Sequence, residues 1–277
     1  MLPYLHIGKL QIPMYGLCMA TAMLVAVFLS YFRTRRRGED SDKLLTIALF
    51  AIVFGIIGAK LLYFFVTYTW QEFVDLVKAN GILYLMEGGL VFYGGLIGGL
   101  IGAYVGSLIV REKLHVYSDP VVPTLPLAHA IGRMGCFCSG CCYGRATDSW
   151  IGMTFPNSIT GLAPNVRVIP TQLIEAGINI LIFVFLLIFT AKRRKGYTTL
   201  FVYVMLYGVM RFLLEFLRGD DIRGFLLGLS TSQWISIGLI VLGAVGLILT
   251  CCAGGKRDAK LPPDKEINAA QKGAAAE

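Results

Sequence analysis

Long, nearly uninterrupted apolar runs constrain the fold of this chain more than any other feature. Crossing the hydrocarbon core of a bilayer takes about 20 residues of helix. Runs of that order lie at roughly 13–32, 44–67, 88–111, 119–138, 171–191, 197–217 and 232–252. Pro120, Pro123 and Pro126 interrupt the fourth run, which membrane helices tolerate where neighbouring groups satisfy the freed carbonyls. The sequence predicts an all-α polytopic membrane protein with about seven transmembrane helices.

The charge distribution fits a membrane protein better than a nucleic-acid-binding protein. The formal net charge is +8, and the residues are 56% hydrophobic and 15% charged. The segments 33–43, 111–118, 192–196 and 253–277 hold 16 of the 25 lysines and arginines. Short basic clusters between apolar runs are typical of cytoplasmic loops. The pattern predicts an N-terminus outside and a C-terminus in the cytoplasm, with the bilayer as partner and no nucleic acid.

The loops divide the chain into a membrane domain and a tail. We predict a seven-helix transmembrane domain over 1–252, with two larger connections on its outward side. The connection 68–87 carries an amphipathic pattern typical of a helix lying at the membrane interface. The connection 139–170 is rich in glycine, proline and polar residues and predicts a small periplasmic or extracellular head. The polar tail 253–277 predicts a disordered cytoplasmic segment.

A few charged residues fall inside the apolar runs. Each costs roughly 2.5–3.5 kcal/mol on insertion scales, so each invites a functional interpretation. They are Lys60, Arg133, Glu175, Arg211 and Glu215, with Arg218 at a helix end. A spacing of four puts Tyr207, Arg211 and Glu215 on one helical face, which Arg218 continues. A structural ion pair is the alternative, but the added tyrosine and arginine favour a site.

Arg133 lies in the stretch richest in glycine and cysteine, residues 129–145. Gly135, Gly140 and Gly144 follow it, and such backbone can approach a ligand closely and offer N–H groups to an anion. The arginine fork suits a phosphate. His129, four residues earlier, lies on the same helical face and is either a proton acceptor or a buried hydrogen-bonding residue. A glycine-rich helix cap is the alternative for the whole stretch.

A second glycine-rich stretch runs from 87 to 99. Close helix packing explains Gly98 and Gly99, since small residues at such spacing let membrane helices approach. It does not explain Tyr93, which Gly94 and Gly95 follow near the outer end of the predicted span. These three residues are therefore candidates for the site.

Four cysteines, Cys136, Cys138, Cys141 and Cys142, crowd into seven residues. Structural zinc sites use two ligand pairs that are well separated in sequence, so we predict no metal. A disulfide remains open if the stretch faces an oxidising exterior. The favoured interpretation is small packing residues, one of which, Cys136, lines the site.

Five motifs in order resemble the prolipoprotein diacylglyceryl transferase family over about residues 13–250. They are Pro13-Met-Tyr15-Gly16; the glycine-rich run at 88–98; the run from Gly132-Arg133 to Tyr143-Gly144; Pro170-Thr-Gln-Leu-x-Glu175; and Tyr207-x-x-x-Arg211-x-x-x-Glu215-Phe-x-Arg218.

The resemblance implies an inner-membrane transferase of lipoprotein biosynthesis that needs no cofactor. It would move the diacylglyceryl group of phosphatidylglycerol onto the lipobox cysteine of a preprolipoprotein signal peptide, releasing glycerol 1-phosphate. Arg133 and the glycine-rich backbone would hold the phosphate, and Arg211, oriented by Glu215, would stabilise the leaving group. Tyr93 and His129 would assist thiol deprotonation. Tyr15, Tyr207 and Arg218 would complete the substrate-binding set.

Two departures from the family pattern concern the thiol. Many members carry histidine where this chain has Tyr93, and asparagine where it has Cys136. Tyrosine, with an ordinary pKa of about 10, is a poor base at neutral pH. A divergent relative with another acceptor, or a lipid-binding scaffold without catalysis, are therefore the alternatives. A transporter is disfavoured because the chain shows no internal repeat.

Overall fold

The computed structural model describes residues 3–8, 10–80, 89–218, 225–226 and 228–252. The helices in this part are α1 (Met14–Arg36), α2 (Ser41–Thr67), α3 (Trp70–Asn80), α4 (Phe92–Ile109), α5 (Ser118–Val121), α6 (Thr124–Ser139), α7 (Thr171–Phe189), α8 (Thr198–Glu215) and α9 (Thr231–Cys252). Short antiparallel pairs join β1 (Tyr4–Ile7) to β2 (Leu10–Pro13), β3 (Met153–Thr154) to β4 (Arg167–Val168), and β5 (Phe225–Leu226) to β6 (Leu229–Ser230).

Six of the described helices, α1, α2, α4, α7, α8 and α9, are long and apolar enough to cross a membrane. The fourth predicted span instead forms α5 and the 16-residue α6, and Pro123 lies at the break between them. Leu24, Phe65 and Ile188 are each more than 70% exposed, whereas Gln172 and Asn179 are 0% exposed. Apolar side chains outside and polar ones inside are what a bilayer requires. The predicted polytopic fold class is confirmed.

The chain folds into two compact units. One unit comprises residues 1–38 together with the chain from Tyr117 onward, and it contains α1 and α5–α9. The other comprises residues 39–116 and contains α2, α3 and α4.

In the unit of residues 39–116, glycines let α4 pack directly on the α2 backbone. A Cβ on Gly98 would lie 2.2 Å from the Phe54 carbonyl oxygen, and one on Gly102 would lie 2.3 Å from that of Phe50. The predicted packing role of Gly98 is therefore confirmed. Gly99 is less constrained, because the nearest atom to its Cβ would be the Ala51 oxygen at 3.6 Å. Lys60 of α2 lies over the Tyr63 ring, 5.8 Å from its centroid.

The helix α3 occupies part of the predicted interfacial segment. The Thr69 backbone N–H and hydroxyl each donate to the Glu72 carboxylate at 2.8 Å. These bonds lower the pKa of Glu72 and cap the start of the helix. The rest of the segment, residues 81–87, lies outside the described residues.

In the unit containing α5–α9, a small apolar core lies among α5, α7 and α8. It contains Val122, Ile182, Leu186, Met210 and Leu214, all buried. The helix α1 packs against α6, where a Cβ on Gly135 would lie 3.0 Å from the Cys18 Cβ. The helix α6 also packs against α7.

A buried polar network centres on Asp119 at the start of α5. Its carboxylate accepts from Arg37 at 3.0 Å, from the Arg194 N–H at 2.8 Å and from the Thr199 hydroxyl. Arg33 donates to the Asp119 and Pro120 carbonyls at 3.0 Å. The predicted loop 33–43 begins later than expected, because α1 continues to Arg36 and neighbouring carbonyls accept from the Arg33 guanidinium.

The predicted head, 139–170, is mostly irregular and is tied down at several points. Gly140 ends α6 with φ 66°, a left-handed conformation that glycine adopts without strain. The Ser158 hydroxyl donates to the Gly140 carbonyl at 2.6 Å, and the Ile159 N–H donates to the Ser139 carbonyl at 3.1 Å. The predicted disordered tail 253–277 lies outside the described residues.

Candidate functional site

A buried carboxylate lies at the centre of the candidate site. Glu175 of α7 is 1% exposed, and its Oε1 lies 2.7 Å from Arg133 Nη2 and 3.2 Å from His129 Nε2. Arg133 and His129 both belong to α6, where their spacing of four puts them on one face. The ion pair makes it tolerable to bury an arginine in this apolar setting.

His129 has a choice of partners at one nitrogen atom. Its Nε2 lies 3.3 Å from Arg133 Nε, which always carries a hydrogen, and 3.2 Å from Glu175 Oε1. An unprotonated Nε2 accepts from Arg133, whereas a protonated Nε2 donates to Glu175. The imidazole also lies against Tyr207 of α8, with 5.6 Å between ring centroids. Nε2 of His129 therefore has a hydrogen-bond partner within reach whether it accepts or donates.

Arg211 of α8 forms the second cationic centre. Its Nη1 lies 3.0 Å from Glu215 Oε2, and its Nη2 donates to the Ser232 hydroxyl at 3.2 Å. The Ser230 hydroxyl donates to the other Glu215 oxygen at 2.9 Å. The carboxylate is thus fixed from two sides and fixes Arg211 in turn.

The two arginines share a neighbourhood. The carboxylate of Glu175, which is paired with Arg133, also lies close enough to Arg211 for the two charges to interact. The charges of Arg211 and Glu175 thus lie within electrostatic range of each other, although the direct partner of Arg211 is Glu215.

The loop that follows α6 brings three thiols together beside Arg133. The sulfur atoms of Cys136, Cys141 and Cys142 all lie within 4.8 Å of one another. Arg133 and Tyr15 lie close enough to these thiols to interact with them electrostatically, and Arg218 does so with Cys142. The predicted residues Tyr15, Cys136 and Arg218 therefore lie in the neighbourhood of Arg133.

The glycines of this loop are explained by close packing of the chain on itself. A Cβ on Gly144 would lie 2.4 Å from the Leu217 carbonyl oxygen, and one on Gly140 would lie 2.9 Å from the Ser158 Cα. Gly135 is packed on α1 as described above. Their predicted contact with a ligand remains a hypothesis, since protein atoms already occupy the space beside them.

The remaining predicted residues belong to the unit of residues 39–116. Tyr93, in the first turn of α4, is 53% exposed. Gly94 packs on α2, where an added Cβ would lie 2.3 Å from the Gly58 carbonyl oxygen. At Gly95 the nearest atoms to an added Cβ would be 3.6 Å away. Packing therefore accounts for Gly94, and the roles predicted for Tyr93 and Gly95 remain predictions.

Sequence reasoning gave too little weight to α7. Gln172, Glu175 and Asn179 are spaced by three and four residues, and each is at most 1% exposed. That spacing puts a polar stripe on one helical face, which in an apolar helix indicates a buried polar site. Ser230 and Ser232 had no such signal, because their roles depend on contacts between α8 and the start of α9.

The arrangement suits the binding of a phosphate-like anion. Each guanidinium has five N–H donors, and the contacts described involve two nitrogens of each arginine. Donors on Arg133 and Arg211 can thus bind an oxyanion while the carboxylates keep the side chains in place. An apolar surrounding strengthens such an interaction.

The fold and this site define a multi-pass membrane protein with two buried arginine–carboxylate pairs. The model of the prolipoprotein diacylglyceryl transferase family matches residues 3–249, and the chain belongs to this family.

Relatives that match most of the chain carry the same name. A phosphatidylglycerol–prolipoprotein diacylglyceryl transferase of Clostridium tetani is 39% identical over 84% of this chain and 91% of its own. A second, numbered 2, from Clostridium perfringens is 36% identical over 86% of this chain and 91% of its own. One from Dehalococcoides mccartyi is 33% identical over 85% and 88%. The protein is thus a multi-pass bacterial membrane protein and a transferase.

Proposed function

We propose that this protein transfers the diacylglyceryl group of phosphatidylglycerol to the lipobox cysteine thiol of a preprolipoprotein. The products are a thioether and glycerol 1-phosphate. The family and the names of its relatives support this reaction. The observation that carries it is the 2.7 Å pairing of Arg133 with the buried carboxylate of Glu175, whose charge also interacts with that of Arg211.

The arginines act on the charge that builds up during transfer. The thiolate attacks the glyceryl carbon, the carbon–oxygen bond breaks, and its electron pair goes to the phosphate oxygen. Arg133 holds the phosphate of the donor, and Arg211 stabilises the leaving phosphate. Glu215 holds Arg211 in position through the 3.0 Å ion pair. Preorganised donors of this kind stabilise developing negative charge strongly where water is excluded.

The acceptor must lose its proton, because the thiolate is the nucleophile. His129 is the candidate acceptor of that proton in this unit, since Glu175 lies 3.2 Å from its Nε2 and stabilises the imidazolium. Tyr93 is the second candidate. Tyr15, Tyr207, Arg218 and Cys136 line the substrate, and the backbone at Gly135, Gly140 and Gly144 completes the set within this unit. The substrate contacts predicted for Gly94 and Gly95 of the other unit stay predictions.

The placement proposed is the bacterial inner membrane, with the N-terminus outside and the C-terminus in the cytoplasm. The basic segments between the helices support this orientation. A fluorescent protein fused to the C-terminus should fold and fluoresce, and an alkaline phosphatase fused there should be inactive. The reverse pattern contradicts the proposed orientation.

The test uses the purified full chain in detergent with labelled phosphatidylglycerol and a lipobox peptide. Arg133→Ala and Arg211→Ala should each lower the rate of thioether formation by roughly 10²–10³-fold or more. Arg133→Lys should also lose most activity, because lysine lacks the fork. Arg167→Ala is the matched control, since this arginine is exposed in the head and donates to the Gly152 carbonyl.

The products distinguish the alternatives. Near-normal peptide labelling by Arg133→Ala or Arg211→Ala refutes the assigned roles. Release of glycerol phosphate without peptide labelling supports a divergent enzyme with another acceptor. If the wild-type chain forms neither product, the result supports a lipid-binding scaffold.

A further inference from the structure

The three clustered thiols have a geometry that neither the proposed reaction nor packing requires. Cys136 is buried on the last turn of α6, and Cys141 and Cys142 follow the turn at Gly140. The Cys141 N–H donates to the Cys136 carbonyl at 3.1 Å, which folds the chain back over the helix end. The three residues span seven positions, and this turn brings their sulfur atoms within 4.8 Å of one another.

That separation suits a single soft metal ion. With zinc–sulfur bonds of about 2.3 Å, two sulfurs of a tetrahedral site lie ~3.8 Å apart. Shifts of at most about an ångström would therefore close the cluster around zinc. Thiolates are the ligands that select zinc among the divalent ions. Three protein ligands leave one tetrahedral position for a fourth ligand, as in catalytic zinc sites.

The backbone holds this cluster from a second helix. At the start of α7, the Thr171 hydroxyl donates to the Cys142 carbonyl at 2.8 Å, and the Gln172 amide donates to the Cys141 carbonyl at 2.7 Å. Thr171 and Gln172 are at most 1% exposed. Cys142 itself has φ 62°, which is uncommon outside glycine and sets the direction of its side chain. The thiols are therefore preorganised rather than carried on a free loop.

The surrounding charge balances a metal–thiolate group. Three thiolates and one Zn²⁺ carry a net charge of −1, and Arg133 and Arg218 lie close enough to Cys142 to interact with it. A disulfide would involve only two of the three thiols and would not account for the third. Sequence spacing argued against a metal because it could not show the turn that brings the sulfurs together.

We propose that Cys136, Cys141 and Cys142 bind a zinc ion whose fourth position takes the acceptor thiol, an inference whose catalytic part rests on the proposed function. The acceptor thiol binds zinc as a thiolate and gives up its proton to His129, the acceptor proposed above. Its sulfur attacks the glyceryl carbon, and the departing phosphate takes the electron pair of the broken carbon–oxygen bond. The neutral thioether is a poorer ligand and leaves the metal.

The experiment measures metal binding directly on the full chain, purified in detergent without a histidine tag. Elemental analysis after incubation with Zn²⁺ and removal of the excess should give about one zinc per chain. Cys136→Ser, Cys141→Ser and Cys142→Ser should each weaken zinc binding by more than about 100-fold, since even outer ligands cost 10–100-fold. Cys138→Ser is the matched control, because Cys138 lies outside the cluster. Retained thermal transitions show that the variants are folded.

A second measurement tests the open position. The protein loaded with Co²⁺ should show thiolate-to-metal absorption, and adding a lipobox peptide should change that spectrum. A lipobox peptide with serine in place of its cysteine should leave the spectrum unchanged. Both readouts are independent of transfer activity.

The outcomes separate this proposal from the proposed reaction. The zinc site is overturned if Cys138→Ser and the cluster variants retain zinc equally. It is also overturned if the protein mass is lower by two hydrogens because of a disulfide between cluster cysteines. Full transfer by zinc-free protein overturns the metal's role and leaves the proposed reaction standing. Zinc binding with a peptide-dependent Co²⁺ spectrum but no transfer supports the site and contradicts the proposed reaction.

Discussion

At the residue scale, Glu175 determines how the two arginines can coexist. Two buried guanidinium groups close together would repel each other in an apolar interior. One carboxylate with 1% exposure lies 2.7 Å from Arg133 and close to Arg211, and it reduces that repulsion. It also lies 3.2 Å from His129, so its charge influences the group that we propose receives the proton. In the proposed reaction, Glu175 is therefore a positioning residue for both Arg133 and His129.

We predict that Glu175→Gln lowers the transfer rate and destabilises the fold. Glutamine keeps the shape but removes the charge, so Arg133 becomes a buried cation without its partner, at a cost of about 3–5 kcal/mol. The transfer assay should show a loss of roughly 10–100-fold, comparable to removing an outer ligand that orients a catalytic group. Thermal unfolding in detergent should begin at a lower temperature.

The control for this variant is Glu112→Gln. Glu112 pairs with Lys43 at 3.1 Å, but both side chains are about a third exposed, 32% and 37%. Such a pair contributes only about 0–1 kcal/mol, so stability and rate should hardly change. If Glu175→Gln behaves like this control in both assays, the carboxylate does not organise the arginines.

The candidate site could be predicted from sequence only where its contacts lie within one helix. Arg211 and Glu215 are four residues apart in α8, and their pairing at 3.0 Å follows from that spacing. The contacts of Arg133 with Glu175 cross from α6 to α7, and spacing along the chain carries no information about such a crossing. The glycines show the opposite case, since their pattern was visible, and the structure adds that Gly94 and Gly144 also pack closely on other parts of the chain.

At the scale of elements, the pairing of α2 and α4 rests on backbone contact rather than on interlocking side chains. Gly94, Gly98 and Gly102 occupy one face of α4 at spacings of four, and all are buried. Without a hydrophobic driving force between membrane helices, close backbone approach supplies much of the attraction. The strength of the pair therefore depends on each of these glycines remaining without a side chain.

We predict that Gly98→Ala destabilises the pair whereas Gly99→Ala does not. The new methyl group at 98 would lie 2.2 Å from the Phe54 carbonyl oxygen, which is backbone and cannot rotate away. Overpacking costs about 1–3 kcal/mol, more than the roughly 1 kcal/mol that alanine gains over glycine in a helix. Thermal unfolding in detergent measures the difference between the variants.

Gly99→Ala is matched in chemistry and position. Its methyl group would approach no atom nearer than 3.6 Å, an ordinary contact distance, so the variant should be neutral or slightly stabilised. Equal transition temperatures for the two variants would show that α4 does not rest on α2 at Gly98.

At the scale of the whole molecule, six of the seven predicted spans match long apolar helices of the described residues, but the grouping of the helices does not follow from the sequence. Hydropathy gives the spans because each must satisfy its backbone hydrogen bonds internally and present apolar side chains to lipid. The division into units of residues 39–116 and the remainder depends on which helices touch. The exact end of α1 was also missed, because the charged Arg33 stays helical through partners 86 and 87 residues away in sequence.

The last prediction concerns Asp119, whose carboxylate joins α1, α5 and the segment before α8. It is 5% exposed and accepts from Arg37, from the Arg194 N–H and from the Thr199 hydroxyl. Asp119→Asn removes the charge that balances Arg37 and turns one acceptor into a donor that faces other donors. Breaking a buried pair of this kind costs about 3–5 kcal/mol, because the remaining charge stays buried.

Asp148→Asn, in an exposed part of the head, makes the same chemical change without a buried partner and should leave the thermal transition in detergent unchanged. If Asp119→Asn and Asp148→Asn unfold at the same temperature, the hydrogen bonds of Asp119 do not contribute to the stability of this unit. A lowered transition with the catalytic rate per folded molecule preserved would show that Asp119 supports the helices and not the chemistry at Arg133 and Arg211.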